Sequence, residues 1–463
     1  MTKAFGRRRG LSSLGIFAAG ALVLAGCSGD AGDNGGTTTT GGGSGDSSDV
    51  VELNLATVNN PQMIDMESLK GEFEAQFPNI KVNFIVMEEG DLRDSVTRDI
   101  ATSGGQYDIL TIGAYEVPQW GELGWLADLT DLAEGDAEYD VADILPPLRA
   151  GLSANDRLYA VPFYGESSFT MYRTDIFDEA GLTMPERPTW DEIRDLAGQI
   201  VDGGYADSGI CLRGKPGWGD SFAPLTTVVQ TFGGSWFDMN WNEGVSSPEF
   251  IEAVEFYTDL VRDYGQADPV SASFPECLSN VSNGTSAMWY DATSAAGSLE
   301  AEGSVVAGKM GYAYAPVKET DQSGWLWSWN LAIPSTTENL EEAWTFVRWA
   351  TSKEYIQLVG NEIGWPNLPP GSRASTYEIP EYAAVAAAFG PLTVEIMNDV
   401  NPSQPGVNPQ PWTGIQFVSI PEFQDIGNRL AQDLAPVFAG TATAADVLNA
   451  AAEYVQAAGD AQK

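Results

Sequence analysis

Two rhythms of hydrophobic spacing alternate along the chain from residue 50 onward. Val51, Leu53 and Leu55 lie two apart, as one face of a strand requires. Leu69, Phe73 and Phe77 then recur at helical spacing, and Pro78 ends that run. Ile80, Val82, Phe84 and Val86 alternate again. Leu92, Val96 and Ile100 form a helical stripe closed by Gly104-Gly105, and Tyr107 to Ile112 reads as a third, more continuous strand. Further on, Thr189-Trp190-Asp191-Glu192 has the form of a capping box ahead of Ile193, Leu196 and Ile200. Ser247-Pro248 opens a helix with Phe250, Val254, Tyr257 and Val261 inward and Gly265 as its stop, and Leu340, Trp344 and Val347 mark another. The last third is Ala-rich and helical, broken by a Pro-rich loop at 401–411. Strands alternating with helices predict an α/β protein. The ~410 residues exceed one small core, and no long linker interrupts them, so two lobes interwoven by chain crossings are expected.

The first 49 residues follow neither rhythm. Lys3, Arg7, Arg8 and Arg9 precede a largely apolar stretch from Leu11 to Gly26, a secretory-signal pattern too short for a stable span of ~20 residues. Leu24-Ala25-Gly26-Cys27 resembles the bacterial lipobox, which implies that Cys27 is lipidated and becomes the mature N-terminus; the alternative is an ordinary signal peptide with an unrelated cysteine. Residues 28–49 are almost all Gly, Ser, Thr and Asp with no apolar period, the composition of a flexible tether reaching about 25 Å. An exported protein held at the outer face of the cell membrane is expected.

Charge narrows the partners. Without residues 1–26 the chain keeps 19 basic residues against 65 acidic ones, a net charge of about −46. Such a surface repels phosphate backbones and anionic lipid, so no nucleic-acid partner is expected and membrane contact falls to the lipid. The chain has no histidine, which removes the commonest general base and the usual zinc ligand. No catalytic, metal or cofactor group is expected. Cys211 and Cys277 remain as an even pair, read as a disulfide in an exported protein, with two buried thiols as the alternative.

Three segments set aromatic, charged and glycine residues side by side: Pro162 to Ser168, Arg213 to Asp220, and Met288 to Thr293. Rings suit the C–H faces of sugars and polyols, and fixed Glu, Asp and Arg suit their hydroxyls. Trp325, Trp327 and Trp329 would share one face of a strand; the first two read as core and Trp329 as the edge of a site.

The runs LYAVP, MYR, FDEAGL and PTWDE, at 158–162, 171–173, 177–182 and 188–192, resemble the family 1 extracellular solute-binding proteins of ABC importers. VPFYGESSFTMYR, RGKPGWG, FGGSWFDMNW, AMWYDAT, WLWSWNLAIP and GIQFVSIPEFQ are similar to its mannitol/sorbitol-binding branch, and the likeness spans nearly all of 50–460. Trp412 departs from it, standing where tyrosine is expected. The resemblance implies the periplasmic-binding-protein type II fold, with two α/β lobes closing over a ligand cleft. It places lobe 1 at 50–164 plus 317–365 and lobe 2 at 165–316 plus 366–463, with hinge crossings near 164–168 and 315–316. Glu166, Arg213, Asp291 and Trp329 would line the cleft, with Asn60, Tyr115, Trp218 and Trp289 as further candidates. As cleft groups, Arg213 and Asp291 should be replaceable with little change in the stability of the unliganded protein.

The implied function is capture of a polyol or related monosaccharide by a monomeric receptor that hands it to a membrane permease. A receptor for a disaccharide or oligosaccharide, or a surface glycoside hydrolase, are the alternatives.

Overall fold

The computed structural model describes residues 50–463; Cys27, the signal segment 1–26 and the tether 27–49 lie outside the described residues. Among the described residues no helix is long and apolar enough to cross a membrane. The first two strands are β1 (Val51–Val58) and β2 (Ile80–Met87), paired in parallel. The third, β3 (Ile109–Gly113), pairs with β1 on its other side and is buried throughout. The alternation that predicted β2 holds only at its start: Ile80 and Val82 are buried, whereas Val86 is 36% exposed, because β2 is the edge of its sheet. The run through Leu69 is two helices, Pro61–Ser68 and Lys70–Gln76, that break at Leu69 itself. Helix Glu89–Ala101 buries Leu92, Val96 and Ile100 as the spacing predicts.

A short hairpin, β4 (Ser153–Ala154) with β5 (Arg157–Leu158), leads into β6 (Ala160–Glu166), whose seven residues are all buried. After Ser167 the chain begins β7 (Ser168–Arg173), which belongs to a second sheet with β8 (Met288–Ala292) and β9 (Met310–Tyr314) in the order β8-β7-β9. The chain returns through 315–326 to β10 (Trp327–Ala332), which completes the first sheet in the order β2-β1-β3-β10-β6. β10 runs antiparallel to both neighbours. One sheet thus passes directly into the other at Ser167, and β6 and β10, the strands on either side of the two crossings, lie side by side.

Local chemistry fixes the helices around the second sheet. The capping box at Thr189 is present in both directions, with Glu192 N donating to Thr189 Oγ1 at 3.2 Å and Thr189 N donating to Glu192 Oε2 at 2.8 Å. Phe250 N donates to Ser247 Oγ at the start of helix Pro248–Tyr264, which Gly265 caps. Trp344 and Val347 of helix Leu340–Ala350 are buried, but Leu340, its first residue, is 39% exposed. Helices Phe423–Phe438 and Ala444–Asp460 close the chain. Cys211 and Cys277 are joined by a disulfide, which fastens the segment leading to Arg213 to helix Phe274–Ser282.

Candidate functional site

The crossing strands end at a polar cavity. Glu166 closes β6, Trp327 and Trp329 open β10, Ala292 ends β8, and Asn60 follows β1; all of them line it. Helix Glu89–Ala101 adds Glu89 and Arg93, the loop after the disulfide adds Arg213, Trp218 and Gly219, and Ser294 and Gln416 complete the polar wall. The empty space between these walls, its mouth included, is about 400 Å³. It is a narrow slot.

Buried ion pairs frame it. Arg213 donates to both carboxylate oxygens of Asp291, from Nε at 2.8 Å and Nη2 at 2.5 Å, and from Nη1 to the Gly219 carbonyl at 3.0 Å. Asp291 also accepts from Trp289 Nε1 at 3.0 Å and from the amide of Ala292 at 2.7 Å. Burial works against the Arg213 charge, but Asp291 beside it holds the guanidinium above its ordinary value. A second pair faces it. Arg93 donates from Nη1 to Glu116 Oε1 at 2.5 Å, and from Nε and Nη2 to Glu89 Oε1 at 3.0 and 2.7 Å. Its guanidinium lies 4.1 Å from the centre of the Trp218 ring, and 5.2 and 5.1 Å from Trp327 and Trp329. A desolvated cation over indole faces is stabilised by about 2 kcal/mol.

Two glycines permit this closeness. A Cβ at Gly219 would sit 2.0 Å from Glu89 Oε1, and one at Gly113 would sit 2.0 Å from the Trp327 ring.

Glu166 is fully buried and accepts from Ser294 Oγ at 2.5 Å. Burial pushes its carboxyl up to about 8, against the opposing pull of Ser294 and Arg213. At neutral pH it is largely protonated, and so it can both donate and accept. Two further groups in the wall are unpartnered: the Trp218 Nε1–H and the Gln416 Oε1 are buried without a hydrogen-bond partner. Buried polar atoms in a finished core are almost always satisfied, so this donor and this acceptor are left for a partner that the protein itself does not supply.

Of the eight positions expected from sequence, Asn60, Glu166, Arg213, Trp218 and Trp329 line the cavity. Asp291 stands behind Arg213 at 0% exposure. Tyr115 and Trp289 stand one layer further out. The Tyr115 hydroxyl donates to the Ile420 carbonyl at 3.0 Å and its ring meets Trp218 edge-on, while Trp289 spends its N–H on Asp291. Arg213 and Asp291, expected from sequence to be replaceable with little cost to the unliganded protein, are both buried. Trp325 precedes β10 and packs on Tyr290, whereas Trp327, read as core, walls the cavity beside Trp329. Trp412 packs between Trp241 and Phe237 and is not among the residues lining the cavity.

Glu89, Arg93, Ser294 and Gln416 line the cavity without having been among the positions expected from sequence. Glu89 and Arg93 are four apart on a helix and look like a solvated pair; only the neighbouring indoles make them a site. Gln416 stood inside the recognised run GIQFVSIPEFQ, yet an isolated glutamine carries no signal of burial.

Residues 60–357 match the family model for bacterial extracellular solute-binding proteins. A mannitol-binding protein of Pseudomonas aeruginosa is 43% identical over 402 residues, covering 86% of this chain and 91% of its own. Among solved structures, an ABC transporter solute-binding protein of Agrobacterium vitis S4 with bound D-mannitol superposes with a TM-score of 0.85. It is 44% identical and covers 88% of this chain and 97% of its own. A second, from Agrobacterium radiobacter K84 in complex with ribitol, has a TM-score of 0.78 at 25% identity, with 88% and 98% covered.

Proposed function

The chain belongs to the bacterial extracellular solute-binding proteins, binding proteins rather than enzymes with the type II periplasmic-binding-protein fold, and from that premise we propose that it captures a linear hexitol of the mannitol type for an ABC importer. The observation that carries this reading is the narrow polar slot with an unpaired donor and an unpaired acceptor in its wall, Trp218 Nε1 and Gln416 Oε1. An acyclic polyol is slim and offers a hydroxyl, both donor and acceptor, at every carbon. Protonated Glu166 meets one such group. Arg213 and Arg93, each held by carboxylates, retain N–H groups beyond those pairs for others. The indoles of Trp218, Trp327 and Trp329 cover the carbon chain.

Closure follows from where these groups sit. Helix Glu89–Ala101 packs on β1 and β2 of the first sheet, whereas the segment leading to Arg213 bridges to β8 of the second at Cys211 and Trp289. A polyol touching both stabilises the arrangement in which they meet. The rim adds Lys215 Nζ to Glu88 Oε2 at 2.5 Å, an exposed pair contributing ~0–1 kcal/mol. The closed receptor then docks on a permease, with the lipid on Cys27 and the tether 28–49 holding it nearby.

A thermal-shift series of D-mannitol, D-sorbitol, ribitol, D-glucose and maltose tests the ligand class. Hexitols should raise the melting temperature most and maltose not at all. Stabilisation by maltose alone would replace the polyol reading with the disaccharide one. For the anchor, Cys27→Ala should abolish incorporation of labelled palmitate in cells and release the protein to the medium; unchanged labelling would remove Cys27 from the account.

A further inference from the structure

The polar slot has a larger neighbour. A second cavity, with Tyr115, Gln119, Leu148, Asn398, Thr413 and Phe417 in its wall, encloses about 1300 Å³ of empty space, its mouth included, against about 400 Å³ for the slot. Rings and aliphatic groups alternate there with amides and hydroxyls. Among the described residues, Trp327 alone lines both cavities.

The Trp327 ring has neighbours on each side. It meets Trp218 and Trp329 edge-on, with ring centres 6.0 and 5.8 Å away, and these two line the slot and not the larger cavity. It also meets Phe417 edge-on at 5.9 Å; Phe417, and Tyr115 which packs against it, line the larger cavity and not the slot. Trp327 is 4% exposed, and its ring edge occupies the room that a Cβ on Gly113 would take. A ring packed this closely on several sides does not swing away from its neighbours without disturbing them. The slot is therefore short beside a cavity that could lengthen it.

We propose that Trp327 determines specificity as the partition that confines the slot to an unsubstituted hexitol and rejects a hexitol carrying a glycosyl group. This rests on the polyol reading of the slot. A hexitol and its glucoside share most of their hydroxyls, so the groups that bind hydroxyls cannot tell them apart, and discrimination falls to shape. The added ring needs space next to the slot, and the way into the larger cavity crosses Trp327. The two ends of D-mannitol are equivalent by symmetry, so a glucosyl group on either end can face the partition.

Calorimetric titration with D-mannitol, 1-O-α-D-glucopyranosyl-D-mannitol and maltitol tests this, the glucosyl group being at the chain end in the second and within the chain in the third. Wild-type protein should bind D-mannitol and neither glucoside. Trp327→Ala should bind D-mannitol about 2–10-fold more weakly, from the lost ring contact. It should also bind at least one glucoside, shifting the preference for D-mannitol over it by about 100-fold. Trp327→Leu should shift the preference the same way by less, and carries the test should the alanine variant not fold. Trp329→Ala, which alters the slot wall only, should weaken D-mannitol binding and admit neither glucoside. Wild-type protein binding a glucoside as tightly as D-mannitol, Trp327 variants admitting neither glucoside, or Trp329→Ala admitting them equally would overturn the partition and leave the polyol reading standing. Wild-type protein binding no hexitol would overturn both.

Discussion

Replacing Asp291 by alanine tests whether the Arg213–Asp291 pair is a buried frame. Asp291 is 0% exposed and accepts four hydrogen bonds, two from Arg213 and one each from Trp289 Nε1 and the Ala292 amide. Its removal leaves a guanidinium in the interior hydrogen-bonded only to the Gly219 carbonyl. Breaking a buried pair on one side costs about 3–5 kcal/mol, most of it the desolvation of the charge left behind. Unfolding entropy of about 2.1 cal/mol/K per residue over about 410 residues amounts to about 0.9 kcal/mol/K. The melting temperature of the unliganded protein should therefore fall by about 3–6 °C, read by differential scanning calorimetry. Polyol binding should be lost with it, because Arg213 no longer has a fixed direction. Arg213→Met combined with Asp291→Leu removes both charges; it should recover most of the melting temperature and none of the binding. An Asp291→Ala protein melting within about 1 °C of wild type would refute the reasoning, since the pair would then have to be solvated.

Glu166 makes stability depend on pH. Its folded value of about 8 lies above the ordinary 4.5, so the folded state holds a proton that the unfolded state releases. The contribution is complete below about 4.5 and is lost as pH rises through about 8; Glu166→Gln should flatten that decline in melting temperature, and an unchanged profile would contradict it. Arg93→Ala should weaken polyol binding at least tenfold in calorimetric titration, because Glu89 and Glu116 lose their shared cation and Trp218 its stacked partner. Lysine there should rescue little, since a point charge cannot span two carboxylates as the guanidinium does. Changing Cys211 and Cys277 to serine together opens a loop of 66 residues and should cost roughly 4 kcal/mol in denaturant unfolding, with little effect on affinity at 25 °C.

The regular elements were largely legible because they rest on local spacing. Alternation at Val51, Leu53 and Leu55 and the capping box at Thr189 need only their neighbours. β2 forms over the expected residues, but the exposure of its end follows from its place at the edge of the sheet, which depends on β1 and β3 and not on its own residues. In the site, Glu166, Arg213 and Trp218 could be picked out because charge, ring and glycine stand together in sequence. Their layer could not be read. Tyr115 and Trp289 share the same composition, yet both turn their polar atoms to protein partners. Arg93 was hidden for the opposite reason. A salt-bridged arginine on an amphipathic helix is ordinary on a surface, and only the indoles of Trp218, Trp327 and Trp329, more than a hundred residues away, show that it is buried.

The central claim is that one slot, walled by Glu166, Arg213, Trp218, Trp329 and Gln416, holds an acyclic polyol. A crystal structure of residues 50–463 grown with D-mannitol tests it most directly. The polyol should lie in that slot, with one hydroxyl accepting from Trp218 Nε1 and another donating to Gln416 Oε1. Mannitol bound elsewhere, or in the slot with both of those atoms still unpartnered, would contradict it.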